Sequence, residues 1–252
     1  MQEKFKVPTE TIELPSQGKV YAEESELSKG KIEMKYMTAR EEDILTNTNL
    51  LRQGIAMETV LKSLIKSPIR YEDLLSGDRN ALLIAARILA YGHEYAFSYT
   101  DPDTGEVEKI QYDLSNLDHK KIDVSLLNSK NEFHFELPFT KNEVTFKLLT
   151  VEDEKKIDEE IKGMKKATGV QPGTMSMRLK HQLTSVNGEH STKSVRSFID
   201  DGYLLTKDSI ELRKYMDSIT PDIDTTITFT TKSGREVTMD LPMTAEFFFP
   251  WL

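Results

Sequence analysis

Ile32-Glu-Met-Lys-Tyr-Met-Thr38-Ala-Arg-Glu-Glu-Asp-Ile-Leu45 and Val144-Thr-Phe-Lys-Leu-Leu-Thr150-Val-Glu-Asp-Glu-Lys-Lys-Ile157 read alike. In each, an apolar-rich stretch ends at a Thr, and an acid, Glu41 or Asp153, stands three positions later. A Thr whose side chain accepts a backbone N–H, with an acid reaching back to it, starts a helix. Both segments therefore predict a strand that enters a helix, with a capping box at Thr38/Glu41 and a looser one at Thr150/Asp153. The triplets Glu13-Leu14-Pro15 and Glu136-Leu137-Pro138 precede them. Pro has no N–H to donate to a sheet ladder, so it marks a strand edge or a turn.

Working outward, each half closes in a hairpin pattern. Glu94–Leu114 alternates about a turn at Asp101–Gly105, and Thr225–Leu241 does so about Lys232–Gly234. Period-two alternation around such turns predicts antiparallel pairs. A third hairpin is expected over Glu132–Leu149, turning near Lys141-Asn142. Helical spacing places helices at Ala39–Arg52, Met57–Lys66 and Ala81–Tyr91. The last begins at Asp78 or Asn80 and is closed by Gly92. In the second half, helices are predicted at Val151–Lys166, Met175–Val186, Ser191–Asp200 and Lys207–Ile219, with a loop over Gly169–Gly173. The fold class is α+β: two similar strand–helices–β-hairpin halves, residues 1–117 and 132–252, joined by a polar linker at 118–131. The alternative is that the two stretches share only generic strand-to-helix chemistry.

Composition bounds the function. With 33 Lys+Arg against 42 Asp+Glu, the net charge is −9. Binding to nucleic acid needs clustered cations, so no nucleic-acid partner is expected. The absence of Cys removes disulfides, thiolate zinc sites and thiol nucleophiles. The longest apolar runs, Ala81–Ala86 and Phe247–Leu252, are far shorter than the ~20 residues a membrane span needs. No basic-then-apolar leader opens the chain. A soluble, intracellular protein with no membrane partner is expected.

Catalytic patterns are not found. No Gly-rich phosphate loop, G-x-S-x-G elbow or H-E-x-x-H is present. His93, His119, His134, His181 and His190 lack metal-ligand spacing, so no metal or cofactor is expected. Asp101-Pro-Asp103-Thr-Gly105 reads as a hairpin tip and not a calcium loop. The acid pairs Glu23/Glu24, Glu41/Glu42 and Glu159/Glu160 could suggest a glycosidase, but adjacent acids in charged helical runs read better as solvated faces. Lys162–Lys166 is a small basic patch without aromatic neighbours. The expectation is a non-enzyme.

Two segments suggest contacts instead. Phe247, Phe248, Phe249, Pro250, Trp251 and Leu252 concentrate aromatic residues at the C-terminus. They either fold into the core or enter a partner's pocket, where aromatic anchors carry binding energy. Leu14, Pro15 and Tyr21, in Thr11–Tyr21, belong to a strand and turn that could pair with another chain's sheet edge. The plainer outcome is pairing with Lys31–Met37.

Ile12-Glu-Leu-Pro-Ser-Gln-Gly-Lys-Val-Tyr21, Tyr36-Met-Thr-Ala-Arg-Glu-Glu-Asp43 and Leu241-Pro-Met-Thr-Ala-Glu-Phe-Phe-Phe-Pro-Trp251 resemble a known family. It is that of the T-even-type baseplate hub and hub-assembly proteins of contractile-tailed phages. The resemblance implies a role in building the baseplate hub, in the host cytoplasm during assembly, and allows a place in the virion tail baseplate. It implies hub or tape-measure proteins as partners and allows a homo-oligomer. It leaves open an assembly factor, a tail-assembly chaperone for a tape-measure or hub protein, or a subunit retained in the virion. A tail-associated glycan hydrolase is the remaining alternative. Similar proteins carry Cys pairs at the hairpin tips that suggest a zinc ribbon. The tips here have none, so Phe97, Tyr99, Ile110 and Tyr112 must hold their hairpin by cross-strand pairing.

Overall fold

Strands and helices form where local chemistry and burial agree. The computed structural model describes residues 6–243 and 245–248. Strand β1 (Thr9–Glu13) pairs antiparallel with β2 (Lys31–Lys35), Ile12 opposite Ile32. Thus the N-terminal strand finds its partner within its own chain. Ile32 and Met34 point inward and Lys31, Glu33 outward, the alternation of a half-buried ribbon. Helices α1 (Ala39–Leu45), α2 (Thr48–Gln53), α3 (Ala56–Leu64) and α4 (Ser76–Tyr91) follow.

Two departures from the sequence reading have clear causes. The helix predicted over Ala39–Arg52 is broken between α1 and α2. There Asn47 leaves the helical conformation, and its side chain caps the Asn49 and Leu50 amides. Asn competes with the helical backbone in this way at caps. Helix α4 starts earlier than Asp78 or Asn80, because Asp78 faces inward as the third residue of the first turn.

Hairpin β3 (Glu94–Thr100) and β4 (Val107–Asp113) has Tyr95 opposite Tyr112 and Phe97 opposite Ile110, so the expected cross-strand pairs are present. After two short 3-10 turns come β5 (Phe133–Glu136) and β6 (Glu143–Phe146). Helix α5 (Val151–Thr168) ends at Gly169, whose φ of 73° suits a residue without Cβ. Helix α6 (Thr174–Gln182) is shorter than the predicted Met175–Val186. Leu183–Val186 instead forms β7, which adds to β6 and makes a three-stranded sheet. Its hydroxyls at Thr184 and Ser185 bond Thr145 across the strands, and this pairing overrides helical spacing. Helices α7 (Thr192–Asp200) and α8 (Thr206–Ile219) lead to hairpin β8 (Thr226–Thr230) and β9 (Glu236–Asp240), then α9 (Ala245–Phe248). The architecture is an α+β mix of helices and small antiparallel sheets.

The two hairpins meet through side chains. Phe229 lies edge-on to Phe97 at 5.8 Å and to Tyr99 at 5.3 Å. Arg235 pairs with Asp103 and donates to the Tyr99 hydroxyl at 2.7 Å. The main buried cluster is continuous, running from Leu14, Leu61 and Phe97 to Phe146, Leu212 and Ile227.

Candidate interaction surface

Four buried acids organise the turns, each the third residue of a helix. Glu41 accepts from the Thr38 amide at 2.9 Å and the Lys35 ammonium at 2.8 Å. Asp153 repeats this with Thr150 at 3.1 Å and Lys147 at 2.6 Å. Asp78 accepts from the Ser16 amide at 3.0 Å, the Ser16 hydroxyl at 2.7 Å and the Tyr21 hydroxyl. Asp208 accepts from the Phe139 amide at 2.8 Å and from the Thr140 amide and hydroxyl at 3.0 and 2.7 Å. Each half thus has one acid that caps its own helix and one that grips the Leu-Pro turn.

The sequence reading found the first pair and missed the second. Leu74-Leu-Ser-Gly-Asp78 and Leu204-Leu-Thr-Lys-Asp208 carry the missed repetition, visible only when compared at that offset. Glu41, expected on a solvated face, is instead fully buried. Glu160 is held by Arg196 at 2.6 and 2.8 Å and by His181 at 2.9 Å.

Electrostatics separate these acids. Burial alone would raise Glu41, but hydrogen bonds from Lys35, Thr38 and Ser63 outweigh it and hold the carboxyl at about 2. Asp208 is likewise lowered, burial being overcome by the Phe139 and Thr140 donors. Asp78 is raised, because its burial exceeds the help from Tyr21 and Ser16. The Tyr21 phenol is pushed well up by burial and by the facing Asp78 charge.

The proposed contact residues lie largely inside the chain. Leu14, Pro15 and Tyr21 are buried, and the Tyr21 hydroxyl accepts from the Leu75 amide at 2.9 Å. Phe247 is 0% exposed and Phe248 is buried. The Phe247 ring lies edge-on to Tyr95 at 5.0 Å. Its carbonyl accepts from Arg87 Nε at 2.6 Å, and the rest of that guanidinium bonds the Gly92 and Glu94 carbonyls. Phe249, Pro250, Trp251 and Leu252 lie outside the described residues.

An apolar surface does appear elsewhere. Phe139, in the turn gripped by Asp208, is 62% exposed, with Ile210 at 39%. Pro138, Phe139, Lys207 and Ile210 line a groove of about 350 Å³. The Lys207 ammonium sits 5.2 Å from the Phe139 ring centroid. The corresponding turn of the first half carries fully buried Ser16. Among the described residues, no group of His, Cys, Asp and Glu is placed to hold a metal ion, and no helix is long and apolar enough to cross a membrane.

Comparison with known proteins identifies a family. No curated protein and no solved structure matches the chain. The family described as T4 bacteriophage base plate protein matches residues 7–249. That match spans both Leu-Pro turns, the four buried acids at helix starts and both terminal hairpins, and the chain belongs to the T4 bacteriophage base plate protein family.

Proposed function

We propose that this baseplate protein acts in building the central hub of the tail, through contacts with other hub or tape-measure proteins and without catalysis. The observation that supports this reading is the apolar surface at Pro138, Phe139 and Ile210. Three hydrogen bonds to Asp208 hold the turn that presents it. An aromatic side chain on a rigid turn loses little conformational freedom on binding, as interface anchors do. Two of the acids that could have suggested glycan hydrolysis have structural partners: Glu41 holds a helix cap, and Glu160 joins α5 to α6 and α7.

The test is genetic and biochemical. Deletion of the gene should abolish baseplate formation, and the wild-type chain supplied in trans should restore it. Intact baseplates in the deletion strain would defeat the assembly role. Mass spectrometry of purified virions then separates a retained subunit from a factor that departs. A cell-wall zymogram addresses catalysis: clearing that a single Glu substitution removes would overturn the non-catalytic reading.

A further inference from the structure

The two halves meet through a short backbone bridge. The Leu75 position pairs with Thr150. The Ser76 amide donates to the Leu149 carbonyl at 3.1 Å, and the Val151 amide donates to the Leu74 carbonyl at 2.8 Å. Side chains reinforce it: Arg70 pairs with Glu152 at 3.0 Å, and the Ser76 hydroxyl donates to Glu154 at 3.1 Å.

Each side of this bridge has a counterpart in the other half. Leu204–Thr206 precedes Asp208 as Leu74–Ser76 precedes Asp78, and Met37–Ala39 surrounds its capping Thr as Leu149–Val151 does. The conformations agree. Leu75 and Leu205 have φ, ψ of −60°, 149° and −66°, 148°, and Thr150 and Thr38 are both extended. These counterparts are not joined to each other. Among the described residues, the Thr206 and Ala39 amides and the Leu204 and Met37 carbonyls have no backbone partner of the bridging kind. Leu205, Thr206 and Ala39 are exposed.

The flanking charges also remain complementary. Asp200, the last residue of α7, stands five residues before Leu205, as Arg70 stands five before Leu75. The place of Glu152, two after Thr150, is taken by Arg40, two after Thr38. The ion pair is reversed in polarity and remains complementary. Thr206 and Glu42 preserve the hydroxyl-to-carboxylate pair of Ser76 and Glu154. Arg40 is exposed, and Asp200, paired with Lys180 at 2.5 Å, is still 54% exposed at its side chain.

We infer that the protein associates head to tail with a second copy of itself. Leu204–Thr206 of one copy bridges Met37–Ala39 of the next, and Asp200 faces Arg40. A contact between two different patches is heterologous, so it extends to a ring or a filament and not to a two-fold dimer. Lys207 replaces Gly77, which packs against the Pro221 carbonyl. The copies therefore diverge from the internal arrangement on that side and meet through the bridge and the ion pair.

The full-length protein alone decides this, by sedimentation velocity over a concentration series with circular dichroism as the control for folding. Wild type should shift to larger species as concentration rises. Asp200→Arg and Arg40→Asp, each setting like charges opposite one another, should remain monomeric with an unchanged spectrum. The two substitutions in one chain should restore association. A wild-type protein that stays monomeric up to its solubility limit overturns the inference. So do single variants that associate normally, or a double variant that does not recover. The baseplate role can fail without affecting these outcomes, because no other phage protein is present.

Discussion

Glu41 and Asp78 show how one chemical group, the carboxyl, answers opposite demands. Glu41 is buried beside an ammonium, and its folded value of about 2 lies below the ordinary Glu value of about 4.3. A lowered carboxyl contributes stability that is complete above the unfolded value and is lost as pH falls through the folded one. Glu41→Gln should cost about 3–5 kcal/mol at neutral pH, since it leaves Lys35 without its buried partner. In urea titrations that gap should narrow as pH drops from about 4 towards 2.

Asp78 and Asp208 extend the comparison. Asp208 is lowered, so its contribution also fades in acid. Asp78 is raised, so its contribution is complete below the ordinary Asp value and is lost as pH rises through the folded one. The stability difference between wild type and Asp208→Asn should therefore shrink on acidification, while that for Asp78→Asn should grow. Differences that move in the same direction in parallel urea titrations would contradict the assignment.

At the scale of elements, two helical glycines have different surroundings. A Cβ on Gly77, in the first turn of α4, would lie 1.9 Å from the Pro221 carbonyl oxygen, whereas one on Gly163 in α5 would meet nothing within 4 Å. Gly77→Ala should destabilise the fold by at least about 1–3 kcal/mol through overpacking. Gly163→Ala should stabilise it by about 0.5–1 kcal/mol, because Gly is costly within a helix. Thermal unfolding of both variants checks the contrast.

Elements with local causes were legible in the sequence. Thr38 and Glu41, or Thr150 and Asp153, signal their helices within four residues, and the hairpins announce themselves by alternation. The break at Asn47 was less legible because Asn suits a cap as well as a helix surface. The β7 strand was not legible, since Leu183–Val186 becomes a strand only when β6 lies beside it. The Asp78 and Asp208 clamps reach 62 and 69 residues along the chain, far beyond any local pattern.

At the scale of the whole molecule, the halves share one continuous core and a charged seam. Lys155 of α5 bonds Glu58 of α3 at 2.6 Å, and Lys62 joins Glu58 at 2.7 Å and Glu72 at 2.5 Å. Glu72 is held at about 2, chiefly by the Lys62 hydrogen bond. A shared core predicts cooperative unfolding. Hydrogen exchange of β3 and β6 amides in increasing urea should converge on one transition. Two separated transitions would show the halves unfolding independently.

Sequence alone determined the α+β class, the capped helix starts, the terminal hairpins and the resemblance to baseplate proteins. These follow from hydrogen bonds and periodicities that act over a few residues. Tertiary structure decided that Phe247 is core, that Glu41 and Asp78 are buried, and that Ser16 is covered while Phe139 is exposed. Burial depends on which distant segment packs against a residue. Two nearly equivalent turns therefore acquire opposite surroundings, Ser16 buried against Asp78 and Phe139 left open.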